Sequence, residues 1–218
     1  VESIPFRDGF ESGNYDGWVE GSGAGVREVT NATSAVGSYS FHYQSSNNNQ
    51  HLEGIHQNFE AGGQPENISF YVRSGSQSLA DGYFLLRQGG NDAIWFYAST
   101  TGRFYVNGDV GGDESFAYNE NEWYHIAFQD IDWEDKDFDY YVNDELIKAD
   151  ISFRNSWVIE QFDALYLYNF HASDAWWDDI NIGEPPFNWL RPETIADTVL
   201  AGAAESIAIE FDAEGLNG

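Results

Sequence analysis

Apolar and polar residues alternate in short segments along most of this chain, and clusters of Gly, Asn, Asp and Ser separate the segments. Period-two alternation places successive side chains on opposite faces of a strand, whereas a helix needs apolar positions three and four apart. The pattern predicts strands at 39–44, 54–59, 67–73, 83–88, 93–98, 103–106, 123–130, 137–142, 164–169 and 177–182. So many short strands with no helix between them suit a two-sheet sandwich. In the 123–130 segment Tyr124, Ile126 and Phe128 share one face, while Trp123, His125 and Ala127 share the other. Both faces are partly apolar, as packing on both sides of a sheet requires.

Turn chemistry joins some of these strands into hairpins. Thr100-Thr101-Gly102 separates two aromatic runs, and Asn143-Asp144 stands between Tyr140-Tyr141-Val142 and Leu146-Ile147. Gly, and less readily Asn and Asp, supply the positive φ that such tips demand. At Gly183-Glu184-Pro185-Pro186 two prolines block any regular continuation, which marks a linker. Residues 1–183 form one predicted domain. Residues 184–218 are too few for a core of their own and hold a predicted strand, 206–211, followed only by a polar turn. This short C-terminal β segment reads as a domain cut short, or one completed by a neighbouring domain or subunit.

Charge changes the list of partners. The 218 residues carry 37 acidic and 9 basic side chains, a formal charge of −28. Such a chain repels phosphate backbones and anionic lipid heads, so nucleic acid is not an expected partner. No apolar run approaches the roughly 20 residues of a bilayer-spanning helix, and membrane insertion is not expected. Acidity of this degree often accompanies disorder, but 42% hydrophobic and 17% aromatic residues supply ample core. The absence of Cys rules out disulfides, thiolate metal sites and a catalytic thiol. Met is absent even at position 1, and the chain is therefore expected to be a processed, secreted or cell-surface protein whose signal peptide has been removed.

Four segments, FRDGFESGNYDGW, VTNATSAVGSYSFHYQ, EWYHIAFQDIDWEDKDFDYYVNDELIKADISFRN and AWWDDINIG, together resemble laminin-G-like and MAM-like jelly rolls of the concanavalin A-like lectin and glucanase superfamily. The tail, WLRPETIADTVLAGAAESIAIEFDAEGLNG, resembles the start of an immunoglobulin-like repeat. The resemblance implies an all-β, two-sheet antiparallel jelly-roll sandwich. It also implies a structural calcium ion held between the opening segment, the loop before Gly37-Ser38-Tyr39 and the closing strand. The matching positions are Glu11, Asn31, and Asp178 or Asp179. Asn31 stands where the family pattern has an acid, and backbone carbonyls would have to complete a shell of six to eight oxygens.

Other constellations weigh less. The acidic run Asp130-Ile131-Asp132-Trp133-Glu134-Asp135-Lys136-Asp137 lacks the Gly and the final Glu of an EF-hand loop and reads as a strand connection. Glu210-Phe211-Asp212-Ala213-Glu214 has the spacing of a glucanase strand, on which alternate carboxylates share a face, but it lies beyond the linker. Arg87, His125, Tyr97 and Tyr105 have the chemistry of a polysaccharide lyase, yet a negative chain is a poor host for polyanions. Asn31-Ala32-Thr33 and Asn67-Ile68-Ser69 are formal glycosylation sequons. Neutral sugars fit better, because their apolar ring faces stack on aromatics. Trp95 and Tyr97 share a strand face, with Tyr105 and Trp133 nearby in the chain, and core packing is the competing role for each.

The expected protein is a non-catalytic, calcium-stabilised module that binds a polysaccharide or glycan. A structural or adhesive module pairing through its C-terminal strand, and a hydrolase or lyase acting on polysaccharide, are the alternatives.

Overall fold

The computed structural model describes residues 4–112 and 116–183, with backbone only at 60–62 and in the strands 190–192 and 209–211. Among the described residues there is no helix. The strands of the main body are β1 (Phe6–Asp8), β2 (Val19–Glu20), β3 (Gly25–Thr30), β4 (Ser40–Ser45), β5 (Ile55–Gly63), β6 (Ile68–Ser74) and β7 (Asp81–Gln88). They continue with β8 (Asn91–Ala98), β9 (Phe104–Asn107), β10 (Trp123–Asp132), β11 (Asp137–Val142), β12 (Glu145–Ser152), β13 (Phe162–Tyr168) and β14 (Asp174–Ile182). An eight-stranded sheet runs β12-β11-β10-β6-β14-β4-β3, with β1 added along β14. A six-stranded sheet runs β2-β5-β13-β7-β8-β9, and every pairing in the two sheets is antiparallel.

The sheets are held face to face by aromatic side chains at alternate positions. Phe70 on β6 stacks on Phe84 on β7, centroids 3.9 Å apart and 3° from parallel, which ties one sheet to the other. Phe96 meets Phe70 edge-on at 5.4 Å, and Phe128, Tyr140 and Trp177 fill the layer around them. Burial of Phe and Trp contributes area and aromatic geometry together, so a chain without Cys or Met can still build this interior.

All ten predicted strands are present, several longer by one to three residues. The turn at Asn143-Asp144 has both residues at positive φ, 49° and 65°, which matches the twist of the β11–β12 hairpin. Gly102 supplies φ 71° at the β8–β9 tip. The pattern did not predict β1, β2, β3 and β12. These strands are short or lie at sheet edges, and β3 and β12 alternate between partly buried and exposed residues and carry charges that weaken the apolar signal. The acidic run is a hairpin connection: Asp132 accepts the amides of Glu134 (2.7 Å) and Asp135 (2.9 Å), and Lys136 turns at φ 61°. Beyond Gly183, strand β15 (Leu190–Pro192) pairs antiparallel with β16 (Ile209–Phe211). The proline linker, most of the tail repeat and Asp212 to Glu214 lie outside the described residues.

Candidate functional site

Side chains of the six-stranded sheet that do not enter the core line its outer face. There, the register sets Tyr168 on β13 opposite Tyr83 on β7, and Tyr97 on β8 opposite Tyr105 on β9. The centroid distances are 4.5 Å from Tyr168 to Tyr83, 4.7 Å from Tyr83 to Tyr97 and 5.3 Å from Tyr97 to Tyr105. This repeat is close to the strand spacing of about 4.8 Å, so the rings stand on edge and shield one another's faces. Burial pushes the Tyr83 and Tyr168 phenols up, which keeps them protonated and able to donate.

Beside this ladder lies a second row. The Arg154 guanidinium sits over Trp95, 4.2 Å from the ring centroid, and Arg87 lies over Tyr166, which stacks on His56 at 4.8 Å. One carboxylate serves both cations: Asp92 is 3.0 Å from Arg87 Nε and 3.9 Å from Arg154 Nε. The loop before β5 brings His51 over the ladder, with Nδ1 3.1 Å from the Tyr168 hydroxyl and its ring edge-on to Trp95 at 5.7 Å. Burial lowers the pKa of both His51 and His56, favouring neutral rings. Trp95 Nε1 is buried and has no hydrogen-bond partner among the described groups. A shallow depression alongside is lined by Asn58, Arg87, Gly90, Asp163 and Tyr166.

Three of the four aromatics singled out in the sequence, Trp95, Tyr97 and Tyr105, thus meet on one face. Trp133 does not join them: its ring packs between Phe153 (5.2 Å) and Phe162 (4.7 Å), and Nε1 donates to Pro65 O at 3.0 Å. The lyase-like quartet is divided too. Arg87, Tyr97 and Tyr105 are on the six-stranded sheet, whereas His125 is on the eight-stranded one, stacked on Tyr71 at 4.8 Å and paired with Asp144 at 3.0 Å. Sequence reasoning missed Tyr83 and Tyr168, which the alternation Tyr83-Leu85 and Tyr166-Tyr168 could have revealed. His51 and Arg154 reach the site from loops, and no periodicity announces them.

Of the expected metal residues, Glu11 and Asp178 both bind the 31–39 loop, at Ser38-Tyr39 and at Ala35-Val36, and Asp179 follows Asp178 on β14. Both Glu11 oxygens accept from Ser38 N (2.9 and 3.1 Å), and Oε1 also from Tyr39 N at 3.0 Å. Gly37, at φ 63°, is packed so closely on this carboxylate that a Cβ would collide with it. Asp178 is fully buried and accepts from Ala35 N (2.7 Å), Val36 N (3.0 Å) and Asp179 N (2.7 Å). Burial raises its pKa to about 7 against the pull of those amides. Asp179 pairs with Arg7 at 3.0 Å, and Asn31 is exposed on the loop. The Asp179 Oδ1 and the Glu11 Cγ each lie 3.9 Å from where a Cβ on Gly9 would stand. Among the described residues no three His, Cys, Asp or Glu side chains converge. A cation here would need carbonyl oxygens beside Glu11 and Asp179, a donor set of hard oxygens that suits calcium. Asp178 is already saturated by amides and acts as a clamp on the loop.

No family model matches the chain, and neither does any curated protein. Solved structures do. A protein described as "Cellulose induced protein, Cip1" superposes with a TM-score of 0.56 at 15% identity, covering 81% of this chain and 96% of its own. An endo-beta-1,4-glucuronan lyase from the fungus Trichoderma reesei gives 0.55 at 10% identity, covering 83% and 95%. A carbohydrate esterase from a Shiga toxin-encoding bacteriophage gives 0.51 at 16% identity, covering 76% and 89%. At these identities the likeness concerns the fold, a jelly-roll sandwich of the concanavalin A-like type.

Proposed function

We propose that this chain is a non-catalytic carbohydrate-binding module of the laminin-G-like or MAM-like kind, working outside the cell, and that it takes a neutral glycan on the outer face of the six-stranded sheet. The carrying observation is the part-exposed aromatic group Trp95, Tyr97 and Tyr105 on that face, backed by Tyr83 and Tyr168, which are buried among His51, Leu52 and Phe170. Rings locked against each other lose little freedom when a ligand settles on them, which favours binding of a weakly sticky molecule such as a sugar. Ring edges, phenol hydroxyls and the neutral His51 supply apolar contact and hydrogen bonds.

The non-catalytic reading rests on the carboxylates. Asp92 is consumed by Arg87 and Arg154, and Asp163 accepts the amide of Gly89 at 2.7 Å. Glycoside hydrolysis needs a matched acid and base or nucleophile across one bond. The neighbours with carbohydrate-related names lend coarse support to a polysaccharide partner.

A calcium ion forms the second part of the proposal. Glu11, Asp179 and Asn31 would hold it, and it would join the two ends of the sandwich. A panel of neutral and acidic polysaccharides tests the first part: neutral chains should bind, Trp95→Ala and Tyr105→Ala should weaken them, and no reducing ends should be released. Binding that survives both substitutions would remove this face from consideration.

A further inference from the structure

A row of side chains crosses the outer face of the eight-stranded sheet. The register sets Glu28 on β3 opposite His42 on β4, His42 opposite Trp176 on β14, Trp176 opposite Arg73 on β6, and Arg73 opposite Trp123 on β10. His42 stacks on Trp176 with centroids 4.6 Å apart, and from the other side of β14 the Arg73 guanidinium lies 4.8 Å from the same ring centroid. Arg73 differs from other arginines of the chain. Arg7, Arg87 and Arg154 each meet a carboxylate, and Arg27 donates to four carbonyl oxygens. Among the described residues the Arg73 side chain has one hydrogen-bond partner, Asn121 Oδ1, 3.3 Å from Nη2, and its Nε is buried with none. Burial also pulls its pKa down. No acid offsets that cost, although the chain holds 37 acidic residues against 9 basic ones. The acids of this face are spent on histidines: Glu28 and Asp174 hold the two His42 nitrogens at 3.0 and 2.9 Å, and Asp144 holds His125 Nδ1 at 3.0 Å.

Trp123, directly across from Arg73, is partly exposed and lies outside both apolar clusters of the core. Its Nε1 donates to Thr33 Oγ1 at 3.0 Å, which fixes the indole, and no other ring stacks on it among the described residues. We infer that Arg73 and Trp123 form a second ligand site, on the sheet opposite the tyrosine row, that takes a sugar acid: its carboxylate meets the Nη groups of Arg73 while the apolar face of its ring rests on Trp123. Cross-strand partners stand about 5 Å apart, within the span of one pyranose ring. A guanidinium without a carboxylate calls for a planar anion, and the fixed indole beside it selects an anion carried on a ring. The net charge of −28 disfavours polyanions, so the ligand carries a single carboxylate. The inference is independent of the neutral-glycan reading, which concerns the other face.

Nuclear magnetic resonance of the unaltered protein tests this through two N–H signals, Arg73 Nε and the Trp123 indole, assigned by their loss in Arg73→Lys and Trp123→Phe. D-Glucuronate should move both signals to saturation. Glucose and acetate, which offer the ring or the carboxylate alone, should bind at least about tenfold more weakly. Arg73→Lys keeps the charge but loses the planar pair of amino groups, and should weaken glucuronate about tenfold. Trp95→Ala, on the other sheet, should leave glucuronate binding as it was. Acetate or glucose binding as tightly as glucuronate overturns the sugar-acid assignment, and so does a Trp95→Ala protein that no longer binds it. Signals indifferent to all three compounds overturn the site and leave the neutral-glycan reading standing, because that reading is tested with neutral polysaccharide at the other face.

Discussion

The guanidinium of Arg154 lies over the indole of Trp95, 4.2 Å from the ring centroid, and also reaches toward Asp92. A face that sequence alone suggests as a sugar platform is therefore already occupied, and Trp95 serves the site as a wall whose Nε1 is buried. Arg154→Ala should cost about 1 kcal/mol of stability, a cation–π contact at a partly buried site, and lower the melting temperature by about 2–4 °C. Exposure of the indole should also shift its emission to longer wavelength. An unchanged spectrum would mean that the pair does not persist in solution.

The carboxylates at the end of the sandwich should respond unequally to substitution. Asp178 accepts three backbone amides, so Asp178→Asn turns an NH2 group toward an N–H donor and should cost about 1–3 kcal/mol. Asp179→Asn loses only a partly exposed pair with Arg7 and should cost under about 1 kcal/mol. Urea denaturation of both variants gives the comparison, and equal losses would contradict the clamp.

Calcium binding at Glu11 and Asp179 predicts stabilisation by mass action. At a hundredfold excess over Kd the gain is about 2.7 kcal/mol. Chelator-treated protein should therefore melt about 5–10 °C lower than calcium-loaded protein. Arg7→Ala removes a competing cation and should tighten the ion. A melting curve indifferent to both calcium and chelator would end the proposal.

Acid should stabilise the fold. Asp81 is fully buried, and burial raises its pKa from 3.8 to about 8. Below 3.8 folded and unfolded chains are both protonated at this group; above it the unfolded chain loses the proton first. The fold consequently loses up to about 1.4 kcal/mol per pH unit through this group until its folded pKa is passed. His51 and His56 act in the opposite sense as the unfolded imidazoles titrate near 6.5, because their folded pKa values are lowered. Asp81→Asn keeps an oxygen for the Ser173 hydroxyl and should flatten the fall in stability between about pH 5 and 8. A parallel curve for this variant would show that other acids carry the effect.

Period-two alternation located the central strands because their residues pack on both sides and must be apolar at fixed intervals. It missed β3 and β12, where one flank meets solvent and charge is tolerated. The aromatics at 95, 97 and 105 were legible as one surface since strand spacing and a short hairpin determine their neighbours. Trp133 misled for the opposite reason: its turn follows an acidic strand end, and only the packed interior shows the ring turning inward between Phe153 and Phe162.

The sequence by itself determined the all-β class, most strands and their hairpin tips, since these follow from local alternation and turn chemistry. The tertiary structure decided which faces are spent. The stacking of Tyr83 on Tyr97, the cover of Arg154 on Trp95, the amides that saturate Asp178 and the placing of Arg73 opposite Trp123 all join residues far apart in the chain or depend on loop geometry. No local rule encodes such contacts, because their energies exist only once the two sheets have closed on each other.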